Sequence, residues 1–332
     1  MKLQVTSVAM IASLMVGLAE RSANGREPLV HTYSIVARDS ETGQMGVAVQ
    51  SHWFSVGPIV PWARAGVGAI ATQSLVKVSY GPEGLALMAD GMSAADALQK
   101  LVEADDGRDV RQVAMLDASG RVAVHTGAKC IAAAGHETGD GFSVQANLML
   151  NDAVVPAMRK SFENATGDLA DRMMAAMEAA QTAGGDIRGK QSAAILIVSA
   201  ERQEADWKGR LFDLRVEDHP DPVRELKRLV RLQRAYHRSN RGDEFVEKGE
   251  IENALDEYAA AARIAPEIVE LQFWQAVTLF GAGREQEALD LFKRVFAREP
   301  IWADVVPRVV PLGLLPDDPD VIERITSLAP KK

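Results

Sequence analysis

The chain has 332 residues, of which 47% are hydrophobic, so it is long enough for two domains with cores of ordinary size and needs no metal or disulfide to hold them. A formal net charge of -9, with the acidic residues scattered, excludes a general nucleic-acid binder. Cys130 is the only cysteine, which excludes an intrachain disulfide.

At the N-terminus, Lys2 precedes an apolar run from Val5 to Ala19 that ends in small residues. This pattern predicts an export signal over residues 1–19, cleaved after Ala19, and therefore a periplasmic or secreted protein. The run is short for a membrane span, and no later segment approaches that length. A buried first helix is the alternative reading. Glu20 to His31, polar and carrying Asn24-Gly25 and Pro28, reads as a tether.

The next stretch organises the chain. His31 leads into Thr32-Tyr33-Ser34-Ile35-Val36-Ala37-Arg38, a strand, followed by a turn at Ser40–Gly43 and a second strand from Met45 to Val49. Gly57-Pro58 and Pro61-Trp62 read as a loop, and Gly66 to Gln73 as a buried strand. Gly81-Pro82 opens a helix that Gly91 closes, and Ser93 with Asp96 forms a capping box at the start of another. A hairpin spans Gln112–Thr126, with its turn at Asp117–Gly120, and Phe142–Leu148 is a further strand. Two helices follow, one capped by Asn151 and running to about Phe162, the other from Gly167 to Ala183. Gly184-Gly185 stops the second, and strands at Gln191–Ala200 and Leu211–Val216 complete the region. Helix pairs inserted between groups of strands predict an α+β fold in which two sheets pack face to face with helices outside.

From Asp221 the chain becomes helical and basic, with Arg224, Lys227, Arg228, Arg231, Arg234, Arg238 and Arg241 opposite Leu226, Leu229 and Val230. Residues 219–242 read as a solvated connector helix with one packed edge; a site for an anionic partner is the alternative. An internal repeat follows. Gly249, Ala254, Tyr258 and Pro266 recur 34 residues later as Gly283, Ala288, Phe292 and Pro300. That period fits tetratricopeptide-like helical hairpins over residues 243–332, with the segment after Pro300 as a C-terminal cap. Such modules bind partner proteins; a purely packing role is the alternative.

Residues 32 to about 200 resemble the family called domain of unknown function 1028. The resemblance rests on Thr32–Asp39, Gly46–Val49, Val60–Ala63, Gly66–Ala69, Ala71-Thr72-Gln73 and Tyr80–Leu85. It continues through Gly135-His136, Thr138-Gly139, Val144-Gln145, Asn147, Gly184–Asp186, Arg188-Gly189 and Gln191–Ala194. That family is similar to the N-terminal-nucleophile hydrolases, which implies a four-layer αββα sandwich for residues 32–218. The resemblance names no substrate.

It also implies chemistry. Thr32 is the candidate nucleophile, its own α-amine serving as base once freed. The oxyanion needs fixed donors, for which the backbone at the end of Ala71–Ser74 and the side-chain amides of Gln73 and Asn147 are the candidates. Ser51 ends the second strand as a polar partner for the nucleophile. Thr72, Gln145, Asp186, Arg188 and Gln191 are candidate substrate-binding residues. The run from Gly184 to Gln191 is either a loop held by an Asp186–Arg188 contact or part of the pocket, and it is no phosphate loop because a strand follows it. Gln73, Gln145 and Asn147 have the alternative reading of satisfied core amides. His52, His125 and His136 lack metal-ligand spacing, so neither a metal nor another cofactor is expected. Cys130 is expected to be buried. His31 departs from the Gly or Asp that often precedes a self-released nucleophile.

Two functions therefore stand. One is an exported amidohydrolase acting on a C–N amide bond of a small molecule or peptide, with the helical repeats recruiting a protein partner. The other is a catalytically silent sandwich serving as a binding platform. Self-association into a homo-oligomer is left open.

Overall fold

The computed structural model describes residues 29–330, so the expected signal segment and most of the tether lie outside the described residues. The chain divides into two compact units after Leu226.

The first unit is built on two antiparallel sheets. One contains β2 (Thr32–Arg38), β3 (Met45–Ser51), β8 (Gly135–Gly139), β9 (Phe142–Ala146), β10 (Ser192–Val198) and β11 (Arg210–Val216), in the order β11-β10-β3-β2-β9-β8. The other contains β1 (Leu29–Val30), β4 (Pro61–Arg64), β5 (Gly68–Leu75), β6 (Arg111–Asp117) and β7 (Val122–Thr126), in the order β1-β5-β6-β7 with β4 also on β5. Alternation along each strand separates its two faces. Val36, Val47, Val49 and Ala194 of the first sheet meet Ala69, Ala71, Ala114 and Leu116 of the second in one buried cluster. The opposite face of the second sheet, with Ile70, Val113 and Met115, is covered by α1 (Tyr80–Ala89) and α2 (Ala94–Glu103). On the first sheet, α3 (Val154–Asn164) packs on β8 and β9, and α4 (Leu169–Thr182) on β2 and β3.

Local chemistry accounts for most boundaries. Ser93 accepts the Asp96 N–H at the start of α2, as the capping box requires. Asp168 caps α4 in the same way, accepting from Asp171 N–H. Asn151 does not cap α3; its side chain accepts the Ala153 N–H at 2.9 Å and shapes the turn before the helix. Pro61-Trp62, expected in a loop, opens strand β4, where proline is tolerated because β4 pairs only with β5. Leu29–Val30, expected in the tether, pairs instead with β5, Leu29 opposite Leu75 and Val30 opposite Ser74.

In the second unit, α5 (Pro222–Glu247), which begins before the division, is followed by α6 (Ile251–Ile264), α7 (Val269–Gly281) and α8 (Glu285–Arg298). Gly249 and Gly283, at equivalent places before α6 and α8, have φ of +74° and +78°, which glycine adopts without penalty. Ala254 and Ala288, the repeated small residues, are fully buried. The hairpin begun by α8 has no full second helix. Pro300, Pro307 and Pro311 break that stretch into short turns of 3₁₀ and α-helix before α9 (Pro319–Thr326). Ala303, Val306, Val309 and Ile325 from this segment join the core of α7 and α8. The basic face of α5 is engaged by carboxylates. Arg231 pairs with Glu267, and Arg238 reaches Glu257 at 2.9 Å. Among the described residues no helix is long and apolar enough to cross a membrane.

Candidate functional site

The peptide bond between His31 and Thr32 lies where the chain crosses from one sheet to the other. Val30 is still paired on β5, while Thr32 stands opposite Ser51 on β3. Both His31 and Thr32 are buried. The His31 carbonyl accepts two side-chain hydrogen bonds, from Ser51 Oγ at 2.7 Å and from Arg188 Nη2 at 2.8 Å. The second donor is cationic, so the pair polarises this carbonyl and would favour negative charge on its oxygen.

Arg188 is aimed by its own loop. Asp186, 4% exposed, accepts from Arg188 Nη2 and Nε at 2.6 and 3.0 Å, and from the Arg188 backbone N–H at 2.9 Å. The His52 N–H, just past Ser51, adds a fourth bond to Asp186 at 3.2 Å. The loop is tied to the segment after β9, with Leu150 N–H donating to Gly185 at 2.9 Å and Ile187 N–H to Leu148 at 3.2 Å. A planar guanidinium gripped at two nitrogens by a buried carboxylate has little freedom to leave the carbonyl.

On the other side of the crossing lies a layer of buried amides. The Thr32 carbonyl accepts from Asn147 N–H at 3.0 Å and from Gln73 Nε2 at 3.4 Å. Gln112 Oε1 accepts from both Gln73 Nε2, at 2.7 Å, and Asn147 Nδ2, at 2.9 Å. With its amide nitrogen so placed, Asn147 turns its oxygen to His31 Nδ1 at 2.8 Å. An amide oxygen can only accept, so the network assigns the imidazole proton to Nδ1. Burial holds the His31 imidazole below its ordinary pKa; the Asn147 bond opposes this and Arg188 reinforces it. The residues after Gln73 and Asn147, Ser74 and Leu148, have φ of +74° and +58°, left-handed conformations that non-glycine residues seldom adopt.

The structure thus brings together Thr32, Ser51, Gln73, Asn147, Asp186 and Arg188. It reassigns the donors around Thr32. Ser51 and Arg188, rather than the side-chain amides of Gln73 and Asn147, serve the carbonyl that precedes Thr32. The backbone at the end of β5 is taken up by β1. Thr72 is not at the site. It sits on the helix-covered face of β5, its hydroxyl donating to the Lys77 carbonyl at 3.2 Å, because neighbouring residues of a strand face opposite ways. Gln145 lies deeper between the sheets, its amide satisfied by Ser34 at 2.6 Å and Ser143 at 2.8 Å. Gln191 touches the site through its backbone, donating to the Ser51 carbonyl at 3.2 Å.

Two participants were absent from the sequence reading. Gln112, on β6, joins the amides of both sheets, and its only signal was a polar residue inside an apolar strand. His31 was read solely as a departure from a pattern. Cys130 is half-buried rather than buried; burial pushes its thiol pKa up, which argues against a nucleophilic role. His125 and His136 are engaged with the Arg108 carbonyl and the Thr126 hydroxyl. Among the described residues no three His, Cys, Asp or Glu are grouped to hold a metal ion.

Buried Ser, Thr, Gln and Asn side chains around one polarised peptide bond, on paired antiparallel sheets, mark a protein of mixed α/β class with a chemically specialised sheet crossing. A family model described as a family of unknown function, DUF1028, matches residues 32–226, more than half of the chain, and the chain belongs to that family. The match opens at Thr32. A crystal structure of a DUF1028 protein from Silicibacter pomeroyi is similar at 30% identity and a TM-score of 0.55, covering 60% of this chain and 84% of that one. Anbu, the ancestral beta-subunit from Yersinia bercovieri, aligns at 10% identity and a TM-score of 0.29, covering 59% of this chain and 92% of that one, a likeness too low to carry argument. No curated protein matches.

Proposed function

We propose that the first unit is an amide hydrolase of the N-terminal-nucleophile type, and that Thr32 is its nucleophile. The observation that carries this reading is the His31 carbonyl held by Ser51 and Arg188. A peptide carbonyl with a hydroxyl and a guanidinium donor is prepared for attack, and the group next along the chain is the Thr32 hydroxyl. Attack of Thr32 Oγ1 on the His31 carbonyl carbon, with transfer of the hydroxyl proton to the Thr32 nitrogen, breaks the C–N bond and leaves His31 as an ester on Thr32. Water then hydrolyses the ester, giving a His31 carboxyl group and a free Thr32 hydroxyl and amine. In the released enzyme the amine takes the hydroxyl proton, and Ser51 and Arg188 meet the oxyanion of the substrate amide.

The order helix pair, sheet, sheet, helix pair supports the four-layer classification implied by the sequence. The edge of β5 that pairs with Leu29–Val30 would become free on release, which favours an extended peptide over a small amide as substrate. The second unit is proposed as a tetratricopeptide-like partner-binding module, supported by the matched Gly249 and Gly283 and the matched Ala254 and Ala288. Export to the periplasm or medium remains part of the proposal, resting on residues 1–19.

The test is the mature terminus together with activity. Intact-mass measurement of protein purified from its native compartment should find a chain beginning at Thr32. That chain should turn over members of an amide and peptide panel, whereas Thr32→Ala should remain uncleaved and inactive. A protein with full amidase activity that begins at Met1 or Glu20 would sink the mechanism. A second reading has its own support: β1 and His31 are integral to the fold, as in a domain that keeps its leader and serves as a silent binding platform. An uncleaved chain with no activity on the panel would favour it.

A further inference from the structure

The second unit contains a concavity lined by aromatic and acidic side chains. A cavity of about 450 Å³ opens between α5, α6 and α7, inside the range of about 300–1,000 Å³ usual for small-ligand sites. Three aromatic rings, Tyr236, Tyr258 and Trp274, line it together with three carboxylates, Asp243, Glu247 and Glu270. No lysine, arginine or histidine lines it.

Two of the three carboxylates are held by neutral donors. Glu270 accepts from the Tyr236 hydroxyl at 3.0 Å and from Trp274 Nε1 at 3.4 Å. Asp243 accepts from the Tyr258 hydroxyl at 2.6 Å. A phenol or indole fixes the position of a carboxylate without cancelling its charge. The contrast lies a few residues away, where Glu257 and Glu267 are neutralised by Arg238 and Arg231. Burial and the neighbouring carboxylates push the Tyr258 and Tyr236 phenols up, so both remain donors at any physiological pH. Ser239, 6% exposed, also lines the cavity.

Fixed, uncancelled negative charge beside aromatic faces attracts one chemical class. We propose that this cavity binds an organic cation, the ammonium or guanidinium head of a basic side chain or of a free quaternary amine. Glu270 and Asp243 supply the charge and the Trp274 and tyrosine rings supply the faces. The site is independent of the sheet crossing and of its chemistry.

The test uses calorimetric titration of the full-length protein with tetramethylammonium and with acetylated, amidated pentapeptides carrying a central Arg, Lys, trimethyl-Lys, Gln or Glu. Saturable binding of at least one cationic probe at millimolar or lower concentration is expected, weakening with added salt, and the Gln and Glu peptides should not bind. Preference for tetramethylammonium and trimethyl-Lys identifies a quaternary amine, and preference for the Arg or Lys peptide identifies a basic segment of a protein. Glu270→Gln and Asp243→Asn keep an oxygen for the tyrosine hydroxyls, so the helices should retain their circular dichroism while affinity falls about tenfold or more. Glu257→Gln, outside the cavity, should leave affinity unchanged. Equal binding of the Gln peptide, no binding of any cation, or undiminished binding by both Glu270→Gln and Asp243→Asn would overturn the proposal.

Discussion

The layer between the two sheets has two unlike halves built from the same strands. At one end Val36, Val47, Val49, Ala71, Ala114, Leu116 and Val198 fill it with hydrocarbon. At the other end, a residue or two further along β2, β3, β5, β6 and β9, stand Thr32, Ser34, Ser51, Gln73, Gln112 and Gln145, all fully buried. The apolar half needs only volume and shape, and burial of each large side chain contributes about 1.5–3 kcal/mol. The polar half must satisfy every donor and acceptor, because one left unpaired costs about 1–3 kcal/mol. Ser34 shows how closely this is met, donating to Gln73 at 2.6 Å and accepting from Gln145 at 2.6 Å. A sandwich does not require such a network for stability, since hydrocarbon would fill the space with less risk. Its presence beside the His31–Thr32 bond is therefore best explained by what it holds in place.

If that explanation holds, the largest effects come from removing donors to the His31 carbonyl. Arg188→Ala should slow release of Thr32 by about 10²–10³-fold, and Ser51→Ala by a comparable factor, each being the loss of one oxyanion donor. Time-resolved intact-mass measurement of freshly synthesised protein reads the rate. Release at the wild-type rate in both variants would detach the polar half from any chemistry.

Next come paired substitutions that separate the halves. Leu116→Ala should cost about 2–5 kcal/mol in urea unfolding and leave release of Thr32 unchanged, because it opens a cavity remote from the crossing. Gln112→Leu should cost about 2–4 kcal/mol, since Asn147 Nδ2 loses its acceptor inside the protein and Gln73 Nε2 keeps only the longer bonds, at 3.4 Å, to the Thr32 and Gln145 carbonyls. It should also slow release, because those two residues hold the Thr32 carbonyl. Variants that lose stability equally while neither changes release would mean that both halves are only core.

The contrast also explains what was legible in the sequence. The β2–β3 hairpin, the capping box at Ser93 and the helix pairs are local patterns, and they appear where the residues predict them. The placement of Ser51 near Thr32 came from the family resemblance, and that of Asp186 and Arg188 from the polar loop that precedes a buried strand. Strand β1 was not legible, because two residues carry no period, and neither was β8, whose Gly-His-Glu-Thr-Gly run is polar throughout. Thr72 was read together with Gln73, but adjacent residues on a strand face opposite ways, and the Thr72 hydroxyl bonds the Lys77 carbonyl on the other face of β5. Gln112 was hidden for a deeper reason. Its role depends on partners 39 and 35 residues away in sequence, and only the sheet register of β5 with β6 and the approach of β9 bring them together.

The smallest expected effect sits at the boundary of the polar half, on His31. Its folded pKa is lowered, chiefly by burial, from an ordinary value of 6.5, so the folded chain resists taking a proton that the unfolded chain accepts. Stability from this group is present above the unfolded value and falls as pH drops from there towards the folded value. Below the folded value both states are protonated and the loss stops growing. His136 and His237 have lowered values too, so the window is shared and the His31 share must be isolated by substitution. The measurement compares the uncleavable Thr32→Ala chain with Thr32→Ala/His31→Gln, following urea midpoints from pH 7.5 to 5. The chain retaining His31 should lose stability more steeply below pH 6.5, because only it has an imidazole held neutral beside Arg188. Parallel curves would mean that His31 accepts its proton as easily folded as unfolded, which neither its burial nor the Arg188 guanidinium at its own carbonyl allows.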